Sequence, residues 1–586
     1  MSIFVNLLCP PKWAITEDMV NALTTLATTE ARSKYVQDAL KLLGSSEGPL
    51  GKATYRRGLY KKVGSYKNVL ELTENVRTVI HEYIFQKIPG LKDLAGQFSG
   101  MSDKDITDKI VGNWLEEINK TSLSDEKQKI LAAVIAHVIN RLTNDIYIKT
   151  LDQASPQNLE LLGLDKKLCT LLVNLLKAGI KADPLFIKFL SYSQKSAVPP
   201  EGASTVALYG SDRKWHTIAS LFPRETKILV RYFTNIIKDS SAWVETTGGK
   251  VFQEYLTVLR DLYAELDIQK AKELHEKVKQ LYEALALSEF PIIITPALEG
   301  FYKPPYLDPE LRVSIAPPDA KAQEKKFKPL QQALAKSLGT LGVEKFTDLI
   351  LNRNIRVVVS LGSYGVCLTF GNAVAQEQPP ILLFLNEQIW TYDRAFPKFL
   401  KLITNTEKEF DDTHNKTLEE MSRIDTMMHE LSHYVYIDGC PESERLGTEP
   451  VVTIDEVKAE IIYRALIPDI IKKDGLVGSK KQWAIASLAM PLQVLKSSED
   501  DEYFKAAIYA TNELLIQKIV TFDGQQLTIN DYSEYFKILK LNAEKVIKLY
   551  EDEKMTKDRA AKWILDNCTA GAELQKVLDF LRKESD

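Results

Sequence analysis

Residues 417–434 read TLEEMSRIDTMMHELSHY, and their spacing predicts a helix. Thr417 and Glu420 have the spacing of a capping box at a helix start. From there, apolar residues recur every three or four positions, the pattern of a helix that buries one face. They are Met421, Ile424, Met427, Met428, Leu431 and Tyr434. The pentapeptide HELSH, residues 429–433, therefore lies inside this predicted helix.

The two histidines of the pentapeptide are suited to bind one metal ion. His429 and His433 are four positions apart, so they project from one face of a helix and can reach one zinc ion at about 2.0–2.1 Å. Glu430 is rotated by roughly 100° from His429, which places it beside the ion and within reach of a zinc-bound water, as a general base requires. With 7 histidines in 586 residues, the pattern arises by chance on the order of once in a hundred such sequences. The alternative is an exposed pair of histidines on a core helix.

A catalytic zinc of this type has three protein ligands, so a third is expected. A second predicted helix, TIDEVKAEIIY at residues 453–463, carries Glu456 and Glu460 on one face. We assign Glu456 as the third ligand, and Glu460 or Asp455 as the acceptor that fixes the tautomer of a ligating imidazole. Thr453 and Glu456 also have capping-box spacing, so Glu456 could instead only close the start of that helix.

These two motifs resemble the gluzincin class of zinc metallopeptidases, and DEVKAE at residues 455–460 is similar to the Glu-Glu-x-x-Ala-Glu/Asp signature of the dipeptidyl peptidase III family. The resemblance covers little more than two helices, and this chain has a five-residue motif where that family typically has His-Glu-x-x-Gly-His. It implies one zinc ion held by the assigned histidines and Glu456, with Glu430 as base and Glu460 supporting a zinc-bound histidine. It also implies two lobes across a wide cleft.

A shorter similarity lies in the sequence YLDP, which begins at Tyr306. It matches a Tyr-x-Asp-Pro stretch whose tyrosine helps to stabilise the oxyanion in that family, so the resemblance implies Tyr306 as a catalytic residue. Tyr463 is a second candidate for this role. Where the family has a glutamate for the free amine of the substrate, this chain has Pro304, so the resemblance leaves dipeptide release open.

The rest of the chain predicts an α+β fold that is predominantly helical and has a mixed α/β central region. The resemblance implies that this fold is that of a two-lobed, zincin-like metallopeptidase. A chain of 586 residues is longer than a single hydrophobic core can accommodate, so more than one domain is expected. Strands are predicted from three runs rich in branched residues and a hairpin from Asp-Gly between apolar runs: FPIII (290–294), RVVVSL (356–361), PILLFL (380–385) and IVTFDGQQLTI (519–529). The predicted regions are an N-terminal helical one (1–195), a helical one (205–288) with a helix pair over residues 250–287, a mixed one with strands (289–395) and a mainly helical zinc-binding one (396–586).

The composition excludes several classes of protein. With 45% hydrophobic and 26% charged residues the chain is globular, and 75 basic against 79 acidic residues leave no charge excess typical of nucleic-acid or membrane partners. The basic stretch at residues 52–67 is interpreted as a solvated loop. Five scattered cysteines without a Cys-x-x-Cys pair, the lack of a membrane-spanning run and an N-terminus unlike a secretion signal predict a cytoplasmic location.

The sequence therefore predicts a zinc-dependent hydrolase that cleaves peptide bonds by Glu430-assisted attack of a zinc-bound water. Its expected substrates are short peptides, bound in the cleft between lobes that the resemblance implies. The alternative, from a different class, is a catalytically silent zinc-containing helical binding or effector protein. A third possibility is hydrolysis of a non-peptide amide or ester, since the same chemistry attacks other carbonyls. The sequence does not indicate the oligomeric state.

Overall fold

A computed structural model describes the protein over a large part of its chain. The described residues are 148, 151–152, 156–161, 164–193, 207–209, 212–295, 311–316, 320–364, 371–372, 381–384, 399–404, 406–410, 415–437, 440–474, 477–495 and 502–583. Tyr306 and the basic stretch at residues 52–67 lie outside them.

The first described stretch is helical apart from one short hairpin. Its elements are α1 (Pro156–Leu161), α2 (Lys166–Ser193), β1 (Ala207–Tyr209), β2 (Trp215–Thr217), α3 (Ile218–Leu221), α4 (Pro223–Asp239), α5 (Thr247–Ala264) and α6 (Ile268–Leu287). The predicted helix pair at residues 250–287 is confirmed as α5 and α6, which pack against each other. Side chains cap both starts: Thr246 accepts from the backbone N–H of Gly249, and Asp267 from that of Lys270.

The middle of the chain builds a five-stranded sheet. Its elements are β3 (Ile292–Thr295), β4 (Leu311–Ile315), α7 (Ala320–Ser337), α8 (Thr347–Leu351), β5 (Ile355–Tyr364), β6 (Gly371–Asn372) and β7 (Ile381–Phe384). The strand order is β3-β4-β5-β7-β6, with β5 and β7 parallel and the other neighbours antiparallel. All three predicted strands are confirmed, as β3, β5 and β7. Strand β4, whose five residues are all buried, was missed.

The last part of the chain is helical again. Its elements are α9 (Thr406–Glu409), α10 (Asn415–Ser432), α11 (Pro441–Leu446), α12 (Thr448–Asp474), α13 (Lys480–Val494), α14 (Glu502–Ile516), β8 (Val520–Phe522), β9 (Leu527–Ile529), α15 (Tyr532–Glu551), α16 (Lys557–Asn567) and α17 (Ala572–Lys583). The predicted hairpin is confirmed as β8 and β9, which pair antiparallel. Gly524 in its turn has a φ of 102°, a conformation that favours glycine.

Helix α12 forms the centre of this part of the fold. It packs against α7, α10, α14 and α15, and nearly all of its side chains from residue 450 to residue 467 are buried. Because the helix is buried on all sides, its charged side chains must be paired with other groups inside the protein. Helix α10 lies between α12 and the sheet strands β6 and β7. The two helices that carry the predicted zinc ligands are therefore packed side by side.

The mostly helical α+β class is thus confirmed. The two-lobed arrangement and the domain boundaries stay predictions. Within the described residues, every helix is too short or too polar to cross a membrane.

Candidate metal centre

Helix α10 carries the histidine motif at its C-terminal end. The helix ends at Ser432, so its predicted continuation through Tyr434 is wrong. His433 is the first residue of the turn that follows. The backbone there forms a tight turn. The N–H of Tyr434 donates to the carbonyl oxygen of Leu431, and the N–H of Val435 donates to that of Ser432. Both histidines nevertheless stay together, with ring centroids 4.9 Å apart.

A side chain from the neighbouring helix holds this helix end. Lys458 of α12 donates from Nζ to the backbone carbonyl oxygens of His433 at 3.0 Å and Tyr436 at 3.3 Å. Tyr436 has a φ of 54°, the left-handed conformation in which many helices terminate. A cation at a helix C-terminus also faces the negative end of the helix dipole. The position of His433 therefore depends on α12 as well as on its own helix.

Three ligand atoms meet between the two helices. His429 Nε2 and His433 Nε2 are 3.2 Å apart, and Glu456 Oε2 lies 3.4 Å from the first and 3.9 Å from the second. Ligand atoms at about 2.0–2.2 Å from one tetrahedral zinc are separated by about 3.3–3.6 Å. The triangle therefore fits one metal ion, and these residues form the group that could hold a metal in the described part of the chain.

Glu456 fits a ligand role in its burial as well as in its distances. Its Oε2 atom is buried and makes no hydrogen bond of good geometry in the structure. A buried carboxylate oxygen without such a bond is costly unless a cation faces it. Helix α12 begins at Thr448, so Thr453 and Glu456 are inside the helix, and the alternative that Glu456 closes its N-terminus is excluded. The two imidazoles, each 12% exposed, are also not the exposed pair of the other alternative.

Each histidine has a carboxylate behind it, on the side away from the triangle. His433 Nδ1 lies 2.6 Å from Asp455 Oδ2, and His429 Nδ1 lies 3.4 Å from Glu460 Oε1. A proton on each Nδ1 would face these oxygens and leave each Nε2 free to bind a metal. The sequence offered Asp455 and Glu460 as alternatives for one histidine, whereas the structure places one carboxylate behind each.

Two cations that sequence reasoning missed complete the arrangement. Lys458 Nζ is paired with Asp455 Oδ1, and Arg464 Nη2 lies 2.5 Å from Glu460 Oε2. Both cations are buried, with side chains 0% and 2% exposed. The spacing of acid and base three or four positions apart was the available signal, but it is typical of many solvated helix faces.

The charges in this group support one another. Burial lowers the pKa of His429, but Glu456 and Glu460 raise it more, so the net pKa is well above the ordinary value. The pKa of His433 is also raised, because Asp455 and Glu456 outweigh burial. Burial raises the pKa of Glu460, yet Arg464 and His429 bring it down to about 2. The carboxylates therefore favour a positive charge at the two imidazoles, which a proton or a divalent cation could supply.

Tyr463 is already engaged in a buried chain of hydrogen bonds. Its hydroxyl donates to Asp425 Oδ1 at 2.5 Å and accepts from Arg464 Nε at 2.8 Å. Burial raises the pKa of Asp425 to about 6, although Arg464 lowers it. The hydroxyl hydrogen with which Tyr463 would stabilise an oxyanion is therefore engaged in the hydrogen bond to Asp425. For Tyr306, which lies outside the described residues, the catalytic role stays a prediction.

Glu430 lies next to His429 in the sequence and is 9% exposed, but it is not one of the three ligand candidates. Its charge acts on Tyr434: burial raises the pKa of that hydroxyl, Arg353 lowers it and Glu430 raises it. The guanidinium carbon of Arg353 lies 4.1 Å from the centre of the Tyr434 ring. The role of Glu430 as general base stays a prediction, in a position that leaves its carboxylate outside the ligand triangle.

Comparison with known proteins gives a likeness of fold. No protein-family model matches this sequence, and no curated protein matches it. A solved structure of DPP III from Caldithrix abyssi matches with a TM-score of 0.50 and 13% identity over 78% of this chain and 93% of that one. A structure of dipeptidyl-peptidase III from Corallococcus sp. strain EGB has a TM-score of 0.49 and 14% identity over 70% and 90% of the two chains. The Caldithrix abyssi structure therefore shares its general fold with this chain, over a region much larger than the two motif helices.

Proposed function

We propose that this protein is a zinc-dependent peptidase whose metal is held by His429, His433 and Glu456. The observation that carries the proposal is the triangle of two imidazole nitrogens and one buried carboxylate oxygen, with sides of 3.2, 3.4 and 3.9 Å. Two histidines and one glutamate form a ligand set of catalytic zinc sites, which leave a fourth position open.

Glu430 is the general base in this proposal. When bound, zinc supplies a Lewis acid that polarises a carbonyl group and lets water lose a proton near neutral pH. Glu430 accepts that proton and later delivers it to the leaving amine. Asp455 and Glu460 hold the two imidazoles with Nδ1 turned away from the triangle, so that both Nε2 atoms point into it.

Peptides are the substrate class that we propose. The fold is shared with a DPP III structure, and this analogy favours peptides over other amides and esters. The proposal does not extend to release of dipeptides, because Pro304 occupies the position where the resemblance expects a glutamate for the free amine. A cytoplasmic location remains part of the proposal; the three described cysteines, Cys169, Cys440 and Cys568, are free thiols.

The test combines the metal content of the purified protein with its turnover of a quenched peptide library. We expect one zinc per chain, and turnover that Glu430→Gln reduces by at least about a hundredfold while zinc is retained. Glu420→Gln is the matched control, because Glu420 is an exposed residue of the same helix; it should leave both zinc and turnover unchanged.

Two outcomes would contradict the proposal. A wild-type protein that binds zinc but cleaves no peptide in the library would support the catalytically silent alternative. Turnover that survives in the Glu430→Gln variant would show that another residue acts as base.

A further inference from the structure

Both histidines of the candidate metal centre are supported in the same way. Behind each imidazole lies a carboxylate of α12, and behind each carboxylate lies a buried cation from the same helix. One row is His433, Asp455 and Lys458, and the other is His429, Glu460 and Arg464.

We propose that Lys458 and Arg464 are positioning residues of the metal centre, each acting through the carboxylate that it holds. The inference rests on the zinc site of the proposed function. It adds that the affinity of this site for zinc depends on two cations that are paired with the carboxylates behind the imidazoles and not with the ligating side chains themselves.

The two carboxylates divide their oxygens between the imidazole and the cation. Asp455 faces His433 with Oδ2 and Lys458 with Oδ1. Glu460 faces His429 with Oε1 and Arg464 with Oε2. A carboxylate held at both oxygens cannot rotate without losing one contact, so the direction of the oxygen that faces Nδ1 is fixed. Only then can it fix the imidazole in turn.

The cations themselves are anchored at several points. The three donors of Lys458 have three acceptors, since Nζ contacts Asp455 and the backbone carbonyls of His433 and Tyr436. This side chain also links the end of α10 to α12, the helices that carry His433 and Glu456.

Arg464 is anchored on three sides too. It donates from Nε to the Tyr463 hydroxyl at 2.8 Å and from Nη1 to the Ser487 carbonyl at 3.3 Å, and Nη2 faces Glu460. A rigid guanidinium fork with every side engaged transmits its position to the carboxylate.

Because both cations are buried, the loss of either charge would affect the carboxylate that it pairs with. An ion removed from water is stable only when it is paired and hydrogen-bonded, and losing one partner leaves the other charge uncompensated. Without Lys458 or Arg464, the remaining carboxylate would be free to turn toward another donor, and this change would release the imidazole. Outer partners of this kind typically change metal affinity by about 10–100-fold.

The experiment measures zinc affinity by competition with a chromophoric chelator, for the wild-type protein and for Lys458→Met and Arg464→Met. We expect each variant to bind zinc about 10–100-fold more weakly, and the absorption bands of bound Co²⁺ to change. Arg356→Met is the matched control, because Arg356 is also a buried cation and pairs with Glu324 at 3.1 Å. It should unfold more readily but retain wild-type zinc affinity and the wild-type Co²⁺ spectrum.

A double variant shows whether Lys458 acts through Asp455. Asp455→Ala combined with Lys458→Met removes both charges, so it leaves no unpaired ion that would prevent folding. If the lysine acts through the carboxylate, adding Lys458→Met to Asp455→Ala should weaken zinc binding far less than it does in the wild-type background.

The outcomes separate this inference from the proposed function. Folded Lys458→Met and Arg464→Met proteins with wild-type zinc affinity, or additive effects in the double variant, would overturn the inference alone. A wild-type protein that binds no zinc would overturn the proposed function and this inference with it.

Discussion

The replacement of Tyr463 by phenylalanine tests the buried hydrogen-bond chain behind the metal centre. The Tyr463 side chain is fully buried, and its hydroxyl donates to Asp425 at 2.5 Å while accepting from Arg464 at 2.8 Å. The variant keeps the ring and its packing, so the expected loss comes from the two polar contacts only. The partners left behind are an acid and a guanidinium that are themselves buried.

The expected loss of unfolding free energy can be compared with that for a buried tyrosine whose hydroxyl contacts a neutral group. A hydrogen bond to a charged group contributes about 1.5–3 kcal/mol, and a buried polar group left without its partner costs about 1–3 kcal/mol. We therefore expect Tyr463→Phe to lower the free energy of unfolding by about 2–4 kcal/mol. Tyr509→Phe is the matched control, because the buried Tyr509 hydroxyl donates to the neutral backbone carbonyl of Asn542 at 2.9 Å. Its loss should be about 1 kcal/mol.

The pH dependence of this loss has a definite sign. Burial raises the pKa of Asp425 to about 6 in the folded protein, from an ordinary value of 3.8, and the hydrogen bond from Tyr463 opposes that rise. A raised carboxyl pKa contributes stability below pH 3.8 that is lost as the pH rises through the folded value. Without the tyrosine donor the folded pKa rises further. The variant should therefore lose more stability, relative to the wild type, at pH 8 than at pH 5.

The assay is urea unfolding of the zinc-free protein, followed by circular dichroism at both pH values. If Tyr463→Phe lowers the free energy of unfolding by no more than Tyr509→Phe does, the buried chain of hydrogen bonds would be refuted. A difference between variant and wild type that is larger at pH 5 than at pH 8 would also refute it, because Asp425 would then not be the acceptor of the Tyr463 proton.

Three further predictions follow from the same contacts. Glu456→Gln should weaken zinc binding more than Lys458→Met or Arg464→Met does, as measured by chelator competition; an equal or smaller effect would remove Glu456 from the ligand set. Free zinc at a hundred times its dissociation constant should stabilise the folded protein by about 2.7 kcal/mol, and thermal unfolding with and without chelator checks this, with no shift expected in a variant lacking His429 and His433. Leu431→Ala, at a fully buried position of α10, should cost about 2–5 kcal/mol in urea unfolding, whereas a loss below about 1 kcal/mol would contradict its burial.

Local sequence signals were sufficient to find the elements of the site and the three residues that the structure brings together as a group that could hold a metal ion. The four-residue spacing of His429 and His433 requires only a helix, and the acidic residues of the following helix supply the remaining donor. Runs of branched residues gave β3, β5 and β7, since a buried strand needs nothing more than continuous apolar side chains. The histidine spacing and the apolar runs are each recognisable within a single helix or strand.

The features that were missed depend on contacts between elements. The end of α10 at Ser432 involves Lys458 of another helix, which no pattern within residues 417–434 reveals. In α12, the local capping signal at Thr453 is overridden by a helix that starts at Thr448 and is buried on all sides. Strand β4 carried an alternation of apolar and polar residues, but its polar residues Arg312 and Ser314 are only 1% and 0% exposed. Tertiary packing decides all three.

The charges around the group that could hold a metal ion lead to a prediction about zinc and protons. Several ionisable groups with opposite preferences meet there, most of them buried or nearly so. The acids that face the imidazoles are Asp455, Glu456 and Glu460, and the cations Lys458 and Arg464 are paired with Asp455 and Glu460. These carboxylates raise the pKa of both histidines, which favours uptake of a proton by the pair when no metal is present. Zinc and protons should therefore compete for the same nitrogens, and titrating zinc into the metal-free protein in weak buffer at pH 7 should release protons. Zinc binding without proton release would mean that the two imidazoles are neutral before the metal arrives, and that the carboxylates behind them are balanced in another way.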